Sequence, residues 1–407
     1  MKFCILTQFY KPEMGAPQAR LSELASFLSK SGYEVTILTA MPNYPTGKIF
    51  NGYNKFFLKD RVDNIDVIRS FIFPSNSIRL IPRLLSYLSF VVSSFIAGLK
   101  YLRKPNIIMT ESPPLFLGIS GFLISKIYGA KWIYNVSDLW LEAALETGML
   151  KNGLSLKSLN YLESLFFKNA WFITGQSNEI VDKIKLKEPN TIVYKLSNGV
   201  NVKKYRPLKK SKFLKNKLAK KKYSIIYAGL HGIAQGLDQL LKVAKLAQQY
   251  NENFQFILIG DGPEKSNLLE ESKRLKLKNV DFRDPLDRDK IPLILSNSDI
   301  AIIPLKQYIP GAVPSKLYEA MALKIPVVLI GVGEPAEIVK KSNCGIDVNP
   351  GDIIGIYNAI KKLTLTENLR ASMGENGRET VKKQFNRNII LTDFVNFLKK
   401  QVNMTYK

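Results

Sequence analysis

The chain has 407 residues, and at about 150 residues per domain that length predicts two or three domains. Hydrophobic residues make up 46% and charged residues 23%, which excludes disordered, collagenous and low-complexity classes. Two cysteines and one histidine exclude a disulfide framework, a four-ligand zinc site and any mechanism that needs a histidine pair. Lys and Arg number 59 against 34 Asp and Glu, a net charge of +25. An anionic partner is therefore expected: nucleic acid, an acidic membrane surface or a phosphorylated substrate.

In chain order, KFCILT (residues 2–7) is shorter than a signal-peptide core and reads as a buried first strand. A turn-rich loop holding Glu13, Gly15 and Ala16 leads to a helix over about residues 20–31 and the strand EVTILTA, one βαβ unit. The strand IDVIRSF follows. Residues 84–99 are then 16 uncharged residues, fewer than the roughly 20 a bilayer span needs. As one helix over 84–102, Ser86, Ser89, Ser93, Ala97 and Lys100 fall on one face. Leu85, Leu88, Val92, Phe95, Leu99 and Leu102 form a stripe on the other. Two readings fit: a core helix with its serines toward water, or an interfacial helix flanked by Arg79, Arg83, Lys100, Arg103 and Lys104. A second apolar run, residues 112–125, is shorter and carries two prolines and two glycines.

The strands PNIIMTE, KWIYNVS, AWFITGQ and IVYKLSNG complete the first half. Residues 203–222 hold eleven Lys or Arg and no acid, which reads as an exposed linker. Tyr205 and Phe213 are too few to form a stacking platform for bases. The rhythm then restarts with YSIIYAG, a helix over 237–250, FQFILIGDG, a helix over 264–275, VDFRD, IAIIPL, PVVLIG and GIDVNP. Short apolar runs alternating with amphipathic stretches predict α/β architecture with parallel sheets, here as two Rossmann-like halves.

Ligands of such sheets sit at the carboxyl ends of the strands. Loops there carry Gly229, Gly232, Gly236, Gly260, Gly262 and Gly311, which let backbone N–H groups approach an anion. None completes a Walker A or G-x-G-x-x-G pattern. His231 lies in the first of these loops, where a diphosphate would favour its charged form. In GAVPSKLYEAMALKIPVV (residues 311–328), Ser315 opens a helix whose N-terminus suits an anion, Lys316 adds positive charge, and Glu319 can accept bonds from a ribose diol. The alternative is a helix burying Leu317, Ala320 and Met321 with Lys316 and Glu319 solvated. Asp138 follows a strand end, as a site residue or a turn. Arg20 suits an acceptor phosphate or a nearby carboxylate. The DRD at 287–289 reads as a helix cap rather than a metal motif.

The segment 311–328, with LSNGVNVKKYRP (196–207), the helix start at Gly236, QFYKPEMGAPQAR (8–20), NVSDLW (135–140) and ASMGENGRETVKKQFN (371–386), resembles glycosyltransferase family 4, retaining enzymes of the GT-B fold. The opening boxes resemble a bacterial branch building O-antigens and capsules, including N-acetylfucosamine-type transferases. The resemblance implies two facing Rossmann-like domains with a cleft between them: residues 1–200 for the acceptor, a linker at 201–222, residues 223–378 for the nucleotide sugar, and a helix over 379–407 returning to the first domain. It implies Asp138 and Lys316 as catalytic residues. Donor contacts are expected from Gly229, His231, Gln235, Gly262, Arg283, Ser315, Lys316, Leu317 and Glu319, and acceptor contacts from Glu13, Gly15, Ala16 and Arg20. The family's paired carboxylate is Gly311 here, its phosphate-loop Arg and Lys are Leu230 and Gln235, and its first-domain His is Ser137. Phosphate binding then falls on Lys316 and backbone N–H groups.

The expected activity is retaining transfer from a nucleotide-diphosphate sugar, a UDP-sugar, to a polyprenyl-diphosphate-linked saccharide in cell-surface polysaccharide synthesis. Neither a cofactor nor a metal is expected. The enzyme is expected in the cytoplasm, peripheral on the cytosolic face of the inner membrane, with an anionic lipid surface and not nucleic acid as partner. The alternatives are a nucleotide-sugar epimerase of the same fold and a basic nucleic-acid-binding protein, whose affinity would fall steeply with salt.

Overall fold

The computed structural model describes residues 1–13, 15–75, 77, 80–146, 153–208 and 223–405. Most of the basic stretch at 203–222 thus lies outside the described residues, as do Ile78 and Arg79. The chain divides into two compact units, Met1–Ser197 with Leu391–Lys407, and Asn198–Ile390.

The first unit is built on eight strands: β1 (Lys2–Thr7), β2 (Glu34–Ala40), β3 (Phe57–Val62), β4 (Ile65–Ser70), β5 (Ile107–Ser112), β6 (Lys131–Val136), β7 (Phe172–Gly175) and β8 (Val193–Lys195). Their order is β3-β4-β2-β1-β5-β6-β7-β8, and every pair is parallel except β3–β4. Strands covered on both faces read as continuous apolar runs, which is why most were legible. The edge strand β3 was not: FLKDRV holds three consecutive charges and no buried residue, as an exposed edge does. Among the described residues six helices complete the chain-continuous part: α1 (Ala16–Lys30), α2 (Leu80–Tyr101), α3 (Leu117–Tyr128), α4 (Trp140–Glu146), α5 (Leu154–Asn169) and α6 (Asn178–Lys187).

By length and composition α2 could cross a membrane, which revises the expectation of a run too short to span. Its packing is specific, however. Ser86, Ser93, Ser94, Ala97 and Gly98 face inward. Ser94 Oγ donates to the Val91 carbonyl (3.1 Å) and is hydrogen-bonded to Ser120 Oγ on α3 (2.9 Å), while Ser93 bonds Phe71 O and Ser70 Oγ. A Cβ on Gly98 would come within 2.5 Å of Ile124 on α3. The outward face is apolar: Ile81, Leu85, Leu88, Val92 (59% exposed), Ile96 and Leu99, extended by Leu123 and Ile127 of α3. A core helix with serines toward water is thereby overturned. Of the expected stripe, Phe95 is half-buried and Leu102 buried.

The second unit has six parallel strands in the order β11-β10-β9-β12-β13-β14: β9 (Tyr223–Ala228), β10 (Phe254–Ile259), β11 (Val280–Arg283), β12 (Ile300–Pro304), β13 (Val327–Ile330) and β14 (Gly345–Val348). Its helices are α7 (Asp238–Gln249), α8 (Lys265–Arg274), α9 (Ile291–Ser296), α10 (Ser315–Ala322), α11 (Glu334–Ser342), α12 (Ile353–Leu365) and α13 (Glu367–Gln384), and α14 (Arg387–Thr405) follows. Apolar clusters cover both faces of the sheet, a doubly wound arrangement.

The borders differ from those expected. Residues 198–208 pack with the second unit: Val200 bridges Asn386, and Arg378 donates to the carbonyls of Tyr205 (2.8 Å), Ala322 (2.8 Å) and Val202 (3.2 Å). Residues 379–390 stay there too. The rest of α14 belongs to the first unit, where Phe397 packs on Phe172 and stacks on Tyr194.

Candidate active site

In the second unit the strand order reverses at β9, with β10 on one side and β12 on the other. That is where an open parallel sheet binds ligands. The loop after β9 is stitched to the loop after β10. Gly229 N–H donates to Ile259 O (2.8 Å), His231 N–H to Asp261 O (2.8 Å), and Glu264 N–H to His231 O (2.9 Å). Backbone contacts require glycine at 260 and 262, while Gly229 leaves room for the side chain of Lys316. A Cβ on Gly260, at φ +145°, would stand 1.9 Å from the Gly229 carbonyl oxygen, and one on Gly229 would stand 2.0 Å from Cε of Lys316. The Lys316 side chain therefore lies directly against the loop backbone. Gly262 abuts the His231 backbone in the same way.

Lys316 is in the first turn of α10. Pro314 is the N-cap and no side chain caps the helix, so the N–H groups of Ser315 and Lys316 have no intrahelical acceptor, while that of Leu317 donates to Pro314 O. Burial holds the Lys316 ammonium below its usual range; Glu319 opposes this and Arg288 adds to it. Burial raises the Glu319 carboxyl, against Arg288, Lys316 and a hydrogen bond from the Tyr205 phenol. Arg288 also bonds the Tyr205 phenol. Two cations around one carboxylate leave this cluster a positive surplus, suited to an anion.

His231 is fully buried, not at the surface. Neither ring nitrogen has a hydrogen-bond partner, and neither does the buried Oε1 of Gln235 in the same loop. Burial lowers the His231 pKa, Lys265 lowers it further and Asp261 opposes; the nearby Ile259 carbonyl favours the charged form without completing a bond of good geometry. Orphaned polar atoms of this kind are uncommon in native interiors. They cluster on the loop that also holds Lys316.

Two expected donor contacts already have partners within the chain. Leu317 is fully buried in the core, and its N–H donates to Pro314 O (3.0 Å). Arg283 pairs with Asp281 at 2.7 Å, two residues back on the same strand face, while its carbonyl accepts from Gly260 N–H. Both brace the site. Ser315 occupies the first helical position.

In the first unit, Glu13 is buried and accepts from the backbone N–H groups of Asn43 (2.8 Å), Tyr44 (2.8 Å) and Tyr10 (3.3 Å). It ties the β1 and β2 loops together, which corrects its expected acceptor contact. Gly15 is the N-cap of α1 and Ala16 its first residue. One turn on, Arg20 meets a nearby carboxylate: it pairs with buried Glu111 and donates to Ser137 Oγ at 2.8 Å. Asp138 stands beside them with a face to solvent. The density of protein around it raises its carboxyl to about 6, with Arg20 opposing and Glu111 adding. Sequence reasoning missed Glu111 and Arg288. The signal for Glu111 was present, since it is the one charge in the apolar run of β5.

Residues 209–380 match the family described as glycosyl transferases group 1. Over its sequence the chain is similar to WcaI of Escherichia coli, named for colanic acid biosynthesis (26% identical over 335 residues, 79% of this chain and 81% of that one). It is also similar to the capsular polysaccharide biosynthesis glycosyltransferase CapM of Staphylococcus aureus (27% identical, 70% of this chain and 74% of that one). Among solved structures it resembles sucrose-phosphate synthase from Thermosynechococcus elongatus (TM-score 0.77, 17% identical, 99% of each chain). HepE of Anabaena in complex with UDP is similar too (TM-score 0.73, 16% identical, 98% of this chain and 100% of that one). Two parallel α/β units with this loop-and-helix site thus define a GT-B glycosyltransferase. The match over residues 209–380 and the relatives named for capsule and polysaccharide biosynthesis support a glycosyltransferase of the family 4 type.

Proposed function

We propose that the enzyme transfers a sugar, with retention, from a UDP-sugar to a lipid-linked saccharide at an anionic membrane. The observation that carries the donor reading is the convergence of Lys316, the uncapped start of α10 and the unpartnered polar atoms of His231 and Gln235 on one glycine loop. A diphosphate supplies acceptors for the Lys316 ammonium, the uncapped start of α10 and a protonated His231 nitrogen, and offsets the positive surplus. The relatives' names for polysaccharide synthesis and the UDP complex of HepE support the same reading.

Lys316 and the helix start stabilise charge on the departing diphosphate. The donor's own phosphate oxygen then takes the acceptor proton, and no enzyme nucleophile is needed. Glu319→Ala removes the carboxylate that orders Lys316 and Arg288 and meets the ribose. With about 1.5–3 kcal/mol for a charged hydrogen bond, UDP affinity is expected to fall about 10- to 100-fold. Wild-type affinity in calorimetry on the folded variant would overturn the assignment. Acceptor-independent conversion of the donor would instead indicate an epimerase.

The enzyme works without a metal on this reading, because Lys316 and the helix dipole neutralise the diphosphate. Among the described residues no three His, Cys, Asp or Glu side chains converge as ligands. Turnover is expected to persist in chelator. Loss that magnesium or manganese reverses would overturn this.

A further inference from the structure

Across the carboxyl ends of β5, β6 and β7 runs a chain of buried polar side chains. Thr174 Oγ1 donates to Asn135 Oδ1 at 2.6 Å, which orients the amide so that Asn135 Nδ2 donates to Glu111 Oε2. Ser137 Oγ donates to Glu111 Oε1, and Arg20 Nη2 bonds both that oxygen and Ser137 Oγ. Glu111 thereby takes three side-chain donors, and Thr174, Asn135, Ser137 and Glu111 are all buried. A buried ion pair contributes little net stability compared with apolar residues of the same volume. Its place at the ligand end of the sheet, beside a carboxylate that keeps solvent access, therefore asks for another reason.

We propose that Glu111 is a positioning residue: it fixes Arg20 and Ser137 at the end of β6, so that Asp138, the next residue in the chain, feels one fixed cation and one fixed anion and presents its carboxylate to the acceptor hydroxyl. This rests on the glycosyl-transfer reading only for the identity of the hydroxyl. The charged groups acting on Asp138 are Arg20 of α1 and Glu111 of β5. They act with opposite sign, and Glu111 also determines where the guanidinium lies.

Opposed signs give a test that a merely structural role does not pass. Replacing Glu111 by Gln removes negative charge, so Asp138 releases its proton more readily. The acid limb of acceptor-dependent kcat/KM moves to lower pH, by about one unit. Arg20→Gln moves it to higher pH. Glu111→Asp keeps the charge and the limb while kcat falls, because the shorter side chain no longer holds Arg20. Carboxyl carbon NMR, with Asp138→Asn to assign the resonance, reads the same two displacements without substrate. UDP affinity stays unchanged in all three variants. Limbs that stay fixed, or move the same way in both charge variants, overturn the proposal. If Glu111→Gln does not fold, Arg20→Gln decides it alone. Opposed NMR shifts in a protein that transfers no sugar would uphold the electrostatics and reject glycosyl transfer.

Discussion

Lys316→Ala is expected to weaken UDP binding about 100-fold or more, with the fold retained. The residue sits in the first turn of α10 with its ammonium against Gly229, 5.6 Å from the centre of the Tyr227 ring. Its charge is partly removed from water and answered only in part by Glu319. A charged hydrogen bond to phosphate is worth about 1.5–3 kcal/mol, and low local dielectric strengthens it. Together these correspond to about two orders of magnitude in affinity. Gly229→Ala reaches the same end by sterics, since its Cβ would occupy the space of Lys316 Cε. It is expected to weaken UDP without changing any charge.

The pH dependence follows from the direction of the Lys316 shift. Burial favours the neutral amine, so affinity is highest where Lys316 is protonated and declines as pH rises through its lowered pKa. Bound phosphate favours the ammonium and raises its pKa in the complex, which is the source of that decline, so binding at alkaline pH takes up protons. Calorimetry in two buffers of different ionisation enthalpy measures the uptake. Unchanged UDP affinity in Lys316→Ala would remove the basis of the donor site.

Much of this site was legible because its parts are contiguous. Ser315, Lys316 and Glu319 lie within five residues, and their helical spacing puts the charged pair at one end of α10. Arg288 and Tyr205 were not legible, because nothing in a single sequence says that either reaches a carboxylate at position 319. Glu111 stood out as the one charge of β5, but its partners were hidden for the same reason: Arg20 lies in α1, Asn135 in β6 and Ser137 just after it. The edge strand β3 escaped because its pattern reports solvent rather than core. For α2 the periodicity gave two faces but not which one is inward. Serine hydroxyls can be satisfied by carbonyls of the preceding turn, as Ser93 and Ser94 are by Phe90 and Val91. A serine face can therefore pack as tightly as an alanine one.

The outward face of α2 carries the other large expected effect. Ile81, Leu85, Leu88, Val92, Ile96 and Leu99 form one exposed line along the helix, and Leu123 and Ile127 of α3 widen it. Single exposed apolar residues are ordinary, but a continuous line of this kind marks an interaction surface. Exposed Lys100, Arg103, Lys104 and Lys126 border it, and the whole chain carries +25. An apolar face with a basic border fits an anionic bilayer, into which such a helix sinks by its apolar side. Each basic residue near the surface adds about 1 kcal/mol, screened by salt. The wild-type enzyme is expected to float with phosphatidylglycerol-containing vesicles at low salt and to be released by high salt. Leu88→Glu with Val92→Glu should abolish flotation while leaving UDP affinity intact, because both positions are exposed and lie in the first unit. A wild-type dimer that this double variant splits, with no flotation at any salt, would make the face a protein interface and overturn membrane docking. The acceptor would then be sought among soluble saccharides.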